Sequence, residues 1–301
     1  MLLPAHRRPA PRIDFYPSTF DAVAMNRIDS RFGALRAAGR TGLIPFITAG
    51  DPSTDAVVPI MHALVDAGAD LIELGVPFSD PMADGPVIQH SSERALARGV
   101  GLSDILAWVA QFRATDANTP IVLMGYLNPI EIHGYARFAR EARDAGVDGV
   151  LLVDCPLEES QTISAIADAG LSRIFLAAPT TSDARLQAVC AEASGFLYYV
   201  SFSGVTGANR LSLDPVRARV AAIKRGTRVP VAVGFGVRDA ASAAAIAEFA
   251  DAVVIGSALV EHLVNSAPSD AVKTETLVRA VREFLTPIRS ALDARSTSHA
   301  A

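Results

Sequence analysis

LIPFITAGDPSTDAVVPIMHALVDAGADLIELGVP, residues 43–77, holds one complete structural unit. It opens with a run that is apolar at nearly every position, the pattern of a parallel strand covered on both faces. Asp51-Pro52-Ser53 then offers an N-cap with a proline early in a helix. An Ala- and Val-rich amphipathic stretch follows. Asp66-Ala67-Gly68 ends it with a glycine suited to the left-handed C′ position. A second buried strand, Leu71 to Val76, closes the unit.

Working outward, the same unit recurs. The apolar runs are 43–50, 70–77, 120–126, 149–156, 172–179, 196–204, 229–236 and 252–259, eight in all. Asp-Ala-Gly returns at 144–146 and 168–170, and Ser103-Asp104 and Ser182-Asp183 carry helix-start chemistry. Eight strand–helix units in about the 250 residues typical of the fold predict a single (β/α)8 barrel of the TIM type. The long interval between the second and third runs predicts an extra helix from Pro86 to Arg98, ahead of one over 102–114. NRIDSRFGALRAAG, from Asn26, predicts a short N-terminal helix. Residues 1–25 are Pro-rich and aperiodic and read as a disordered extension, with Met25 a candidate initiator. The barrel is expected over 26–290 and a frayed polar tail over 291–301.

Composition narrows the function classes. A net charge of −5 lacks the basic excess of a nucleic-acid binder. Two cysteines, Cys155 and Cys190, form neither a disulfide framework nor a zinc cluster, which fits a reducing cytoplasm. No apolar run reaches the roughly 20 residues that span a bilayer.

Leu-Ile-Glu-Leu-Gly-Val, residues 71–76, places a carboxylate inside a buried strand. Side chains alternate, so Ile72, Leu74 and Val76 face the helices and Leu71, Glu73 and Gly75 face the barrel interior. An interior carboxylate is costly unless paired or used, and its pKa is free to rise as a general acid–base requires. A structural Glu held by neighbouring donors is the competing reading. Asp84 lies in the loop Pro77 to Pro86, beyond a strand's C-terminal end, where barrels place catalytic groups. Helix-cap and catalytic roles are both open for it. Asp154 reads as a strand-exit turn residue. Gly204-Val-Thr-Gly207, Gly234-Phe-Gly236 and Gly256-Ser257 end the last three strands and predict a phosphate site built mainly from backbone amides.

Neither lysine, Lys224 or Lys273, ends a strand, which argues against a Schiff-base aldolase. The histidines form no metal-ligand spacing. Carbon–carbon cleavage here needs a substrate that supplies its own electron sink.

ELGVPFSDPMADGP, residues 73–86, closely resembles the signature of tryptophan synthase α subunits. PFITAGDP (45–52), GVTG (204–207), GFGV (234–237) and IGSA (255–258) agree with it. The resemblance implies retro-aldol cleavage of indole-3-glycerol phosphate, a metal-free lyase step in tryptophan biosynthesis that uses no Schiff base. Glu73 is then the acid–base group, and Asp84 the carboxylate that engages the indole N–H. Gly207, Gly236, Gly256 and Ser257 map onto the phosphate site. Phe46, Tyr126 and Tyr198 lie near the indole and the carboxylates, and Thr206 sits on a loop that closes over the substrate. The resemblance also implies an α2β2 assembly. Its β subunit carries pyridoxal phosphate and receives the indole, and Pro77 and Asp80 face that partner. No cofactor is expected in this chain. A stand-alone lyase, a non-catalytic phosphate-binding barrel and another phosphosugar enzyme are the alternatives. Phe202 and Ser203 make the GVTG loop less basic than in some relatives.

Overall fold

The computed structural model describes residues 26–200, 213–234, 236–267 and 272–298. Each apolar run carries a strand: β1 (Gly42–Thr48), β2 (Ile72–Gly75), β3 (Ile121–Gly125), β4 (Gly149–Leu152), β5 (Ser172–Ala177), β6 (Leu197–Val200), β7 (Val231–Gly234) and β8 (Ala252–Ile255). Each pairs in parallel with the next, and β8 closes on β1 with Gly42 opposite Ala252. Closure leaves no sheet edge, the outcome that eight evenly patterned units predict.

The helices are α1 (Arg27–Ala37), α2 (Val57–Asp66), α3 (Pro86–Ala97), α4 (Leu102–Arg113), α5 (Leu127–His133), α6 (Tyr135–Ala145), α7 (Ser164–Asp168), α8 (Asp183–Glu192), α9 (Asp214–Gly226), α10 (Ala240–Ile246), α11 (Ser257–Asn265) and α12 (Thr274–Ser298). The extra helix after β2 is α3, starting at Pro86 as expected. Gly68, Gly146 and Gly170 take φ of 96°, 94° and 81° just beyond α2, α6 and α7, the left-handed exits predicted from Asp-Ala-Gly. Among the described residues no helix is long and apolar enough to cross a membrane.

Strand alternation splits the core into two layers. Ile44, Leu71, Val122, Leu151, Ile174 and Val254 meet inside the barrel. Ile28, Phe32 and Leu35 of α1 join this inner group, with Phe32 and Phe196 ring centroids 5.9 Å apart. The opposite strand faces, Ile72 and Leu74 among them, pack against the helices.

At the strand entries a polar residue repeatedly holds the neighbouring strand. The Leu43 N–H donates to Asp70 at 2.9 Å, Ile121 to Asp148 at 2.8 Å, Arg173 to Ser194 at 2.8 Å and Val231 to Asp251 at 2.8 Å. Each acceptor lies at or just before the start of an even-numbered strand and binds the preceding odd-numbered one. These bonds satisfy donors that the parallel ladder leaves unpaired.

Two local expectations are corrected. Asp51 does not cap α2, whose N-cap is Ala56. Its buried carboxylate instead takes a two-point ion pair from Arg94 of α3, at 2.8 Å on each oxygen. A planar guanidinium fits a carboxylate better than a lone helix N–H does. Residues 291–298, expected as the start of a frayed tail, continue α12 through Pro287. Leu292 is buried beside Leu285 and Ile288 in the outer core, which fixes this turn. Residues 1–25 lie outside the described residues.

Candidate active site

Glu73 sits in β2 between Phe46 of β1 and Val122 of β3. It is 1% exposed, and its Oε1 has no hydrogen-bond partner. Burial, and then the nearby charge of Asp84, push its pKa up to about 8. The carboxyl therefore keeps its proton at neutral pH. The structural alternative required donors to hold it, and Oε1 has found none.

Asp84 lies at the end of the loop that joins β2 to α3. The N-cap of α3 is Gly85, with no side-chain cap, so the Asp84 carboxylate has no capping duty. It accepts the Tyr126 hydroxyl at 3.1 Å instead. The same hydroxyl oxygen accepts the Ala83 N–H at 3.0 Å. Gln89 donates to the Asp84 carbonyl at 2.9 Å, and Phe78 stacks on Tyr126 with centroids 5.0 Å apart. The loop is thus pinned to the end of β3. Burial raises the Asp84 pKa, and the Tyr126 bond opposes the rise.

A narrow cleft opens here, lined by Phe46, Thr48, Asp84, Ile88, Met124 and Tyr126 among others. Its apolar wall suits a flat ring, and its polar groups converge from β1, the β2–α3 loop and the end of β3. A Cβ on Gly75 would meet the Phe46 ring at 2.5 Å, so glycine there makes room for the ring. Gly234 does the same for Tyr198, whose hydroxyl would clash with an added Cβ. Burial, then Glu73 and Asp84, hold the Tyr198 phenol well above its usual pKa, which puts it in the same field as both carboxylates.

The remaining candidates sort as follows. Gly236 takes φ of 52°, with open space where a Cβ would be. Gly256 is the N-cap of α11 and Ser257 its first residue. Thr206 and Gly207 lie outside the described residues, as do Phe202 and Ser203. Pro77 is buried and Asp80 exposed. Asp154 accepts the Leu127 N–H at 2.8 Å and so holds the start of α5 rather than its own strand-exit turn. Among the described residues no group of three or more His, Cys, Asp or Glu could hold a metal ion.

A family model described as tryptophan synthase alpha chain matches residues 32–289. The chain belongs to the tryptophan synthase alpha chain family. The alpha chain of Xylella fastidiosa strain M12 is 61% identical over 271 residues, covering 90% of this chain and 99% of that one. That of Xanthomonas axonopodis pv. citri is 60% identical over 273 residues, covering 89% and 99%. The crystal structure of tryptophan synthase subunit alpha from Legionella pneumophila superposes with a TM-score of 0.83 at 44% identity, covering 90% of this chain and all 100% of that one. A Mycobacterium tuberculosis tryptophan synthase structure gives 0.78 at 36% identity, covering 89% and 98%.

Within this alpha chain, sequence reasoning named Glu73, Asp84, Phe46, Tyr126 and Tyr198, and the barrel brings all five to one end. It missed Thr48, Ile88, Ser92 and Met124 on the pocket wall. Strand alternation carried a signal for Thr48, which lies two residues beyond inward-facing Phe46. Ile88 and Ser92 sit at i and i+4 on α3 and so share a face, but no pattern told which way that face points.

Proposed function

We propose that this chain cleaves indole-3-glycerol phosphate to indole and glyceraldehyde 3-phosphate. The observation that carries the reading is the buried Glu73, its pKa pushed up to about 8, set against an Asp84 tethered by Tyr126, in a member of the tryptophan synthase alpha chain family. Phe46 and Met124 hold the indole ring, and Asp84 accepts its N–H. Glu73 gives its proton to ring C3, and Asp84 stabilises the positive charge that develops on the ring nitrogen. The resulting Glu73 carboxylate takes the proton of the hydroxyl on the adjacent side-chain carbon. That carbon becomes the aldehyde, the carbon–carbon bond breaks, and its electron pair restores the aromatic ring. No net proton is consumed. The ring is the electron sink, so neither a Schiff base nor a metal is needed, and the chain works without a cofactor of its own.

The phosphate binds on Gly207, Gly236, Gly256 and Ser257, where α11 presents its first N–H groups to the anion. Thr206 sits on the covering loop, and Tyr198 packs beside the carboxylates. The barrel over 26–290 is the working domain. The chain works in the cytoplasm with a pyridoxal-phosphate β subunit that takes the indole, in an α2β2 assembly. Asp80 and Pro77 lie toward that partner, and the exposed Met82 and Ile132 extend the same face.

The test is indole release from indole-3-glycerol phosphate by the purified chain, with and without the β subunit. Weak release that rises strongly with the partner is expected. Release in neither condition overturns the reading.

A further inference from the structure

Thr48 is the last residue of β1 and stands opposite Gly75 of β2. It is 2% exposed, its side chain lines the same pocket as Asp84 and Tyr126, and its Oγ1 has no hydrogen-bond partner. A buried hydroxyl left unpaired is costly, and a valine would fill the same shape without that cost. The Tyr126 hydroxyl is already committed to Asp84 and Ala83. The Asp84 carboxylate uses one oxygen for Tyr126, and its other takes no hydrogen bond among the described residues. The pocket therefore holds both an idle donor–acceptor and an incompletely bonded carboxylate, with Phe46, Ile88 and Met124 among its apolar lining.

We propose that Thr48 is a specificity-determining residue of the ring pocket. Its hydroxyl joins Asp84 and Tyr126 in the hydrogen-bonded group around the ring nitrogen, so the site selects an aromatic ring that carries an N–H over one of the same shape that lacks it. This rests on the reading under Proposed function. A ring N–H brings a polar hydrogen into this apolar corner. Asp84 accepts that hydrogen and Thr48 donates to the same carboxylate, so the set of bonds is completed only when the nitrogen is present. Sites built to bond a ligand N–H reject analogues without it because their buried polar groups stay unpaired.

The experiment uses the purified full chain, with Thr48→Val and Thr48→Ser. Calorimetric titrations compare indole with benzothiophene, a bicyclic ring of similar shape with no N–H. Thr48→Val is expected to weaken indole about fivefold and leave benzothiophene unchanged, as the loss of one hydrogen bond predicts. Thr48→Ser is expected to bind both rings as the unaltered chain does. The Tm of Thr48→Val should not fall, because the hydroxyl is unpaired without a ligand. Equal weakening of both rings, no change in either, or a serine variant that behaves like valine overturns the role. Cleavage of indole-3-glycerol phosphate by the unaltered chain is measured alongside. No cleavage removes the proposed function and this role with it. Cleavage with an unchanged indole-to-benzothiophene ratio in Thr48→Val removes only the role of Thr48.

Discussion

In the proposed mechanism, Glu73 puts the chemistry under pH control. Its folded pKa lies near 8, against 4.5 for an unperturbed glutamate. Between these values the folded chain holds a proton that the unfolded chain has released, so stability falls as pH rises through that window. Above the folded pKa both states are ionised, and the whole cost of burying the charge remains. Glu73→Gln, which cannot ionise, should therefore match the unaltered chain in urea unfolding near the low end of the window. Near the high end it should be more stable, by the order of a few kcal/mol. A constant difference across the window would refute a raised pKa. The same variant is expected to lose nearly all indole release while ligand affinity stays near normal, and one that keeps most of its activity would remove Glu73 from the mechanism.

In the proposed mechanism, the proton that Glu73 donates to C3 must be present before the reaction begins. Indole release should accordingly decline as pH rises through about 8, with the observed midpoint belonging to the coupled Glu73 and Asp84 pair. A rate that continues to climb past that point would show that the carboxylate form starts the reaction. Both carboxylates were legible in the sequence for physical reasons: a charge in an apolar strand and a charge in a loop beyond a strand's end are each conspicuous. Thr48 was not. A threonine in a strand is ordinary β-branched filling, and only three-dimensional packing reveals that its hydroxyl has no partner.

Among the elements, the strands were legible because eight runs of similar character are hard to arrange except as a closed barrel. Element ends were less so. Asp51 and Pro52 carry the chemistry of a helix start, yet the carboxylate is claimed by Arg94 from a helix more than forty residues away in sequence, and local pattern cannot reveal such a partner. The aspartates at the strand entries were invisible for the same reason. Asp148 accepts the Ile121 N–H and pairs with Arg27 at 2.9 Å and Arg113 at 2.7 Å, all from outside its own element. Removing a buried carboxylate that serves two cations leaves both short of a partner and frees a strand N–H. Asp148→Ala is expected to cost about 3–5 kcal/mol, read as a lower urea midpoint with an unchanged slope. A loss under about 1 kcal/mol would mean that water replaces the carboxylate without penalty.

For the whole molecule, the decisive asymmetry is between the two ends of the barrel. One end is covered by α1, whose Ile28, Phe32 and Leu35 pack into the barrel interior, and it is laced by Asp70 and Asp148 to arginines. The other end carries Glu73, Asp84 and the pocket. There the β2–α3 loop exposes Met82 at 85%, and α5, just after β3, exposes Ile132 at 80%. Large apolar side chains this bare, at the end of the barrel where the proposed reaction releases indole, suit a partner that takes up that product before it escapes. Ile132 is not among the residues lining the pocket, so it separates docking from catalysis. Ile132→Glu is expected to leave the unassisted rate of indole release unchanged. The β subunit concentration needed for half-maximal stimulation should rise about tenfold or more, the loss typical of charging a well-packed interface anchor. Stimulation at the same concentration as the unaltered chain would place the contact elsewhere on this end of the barrel, and a fall in the unassisted rate would show that α5 also shapes the pocket through neighbouring Tyr126.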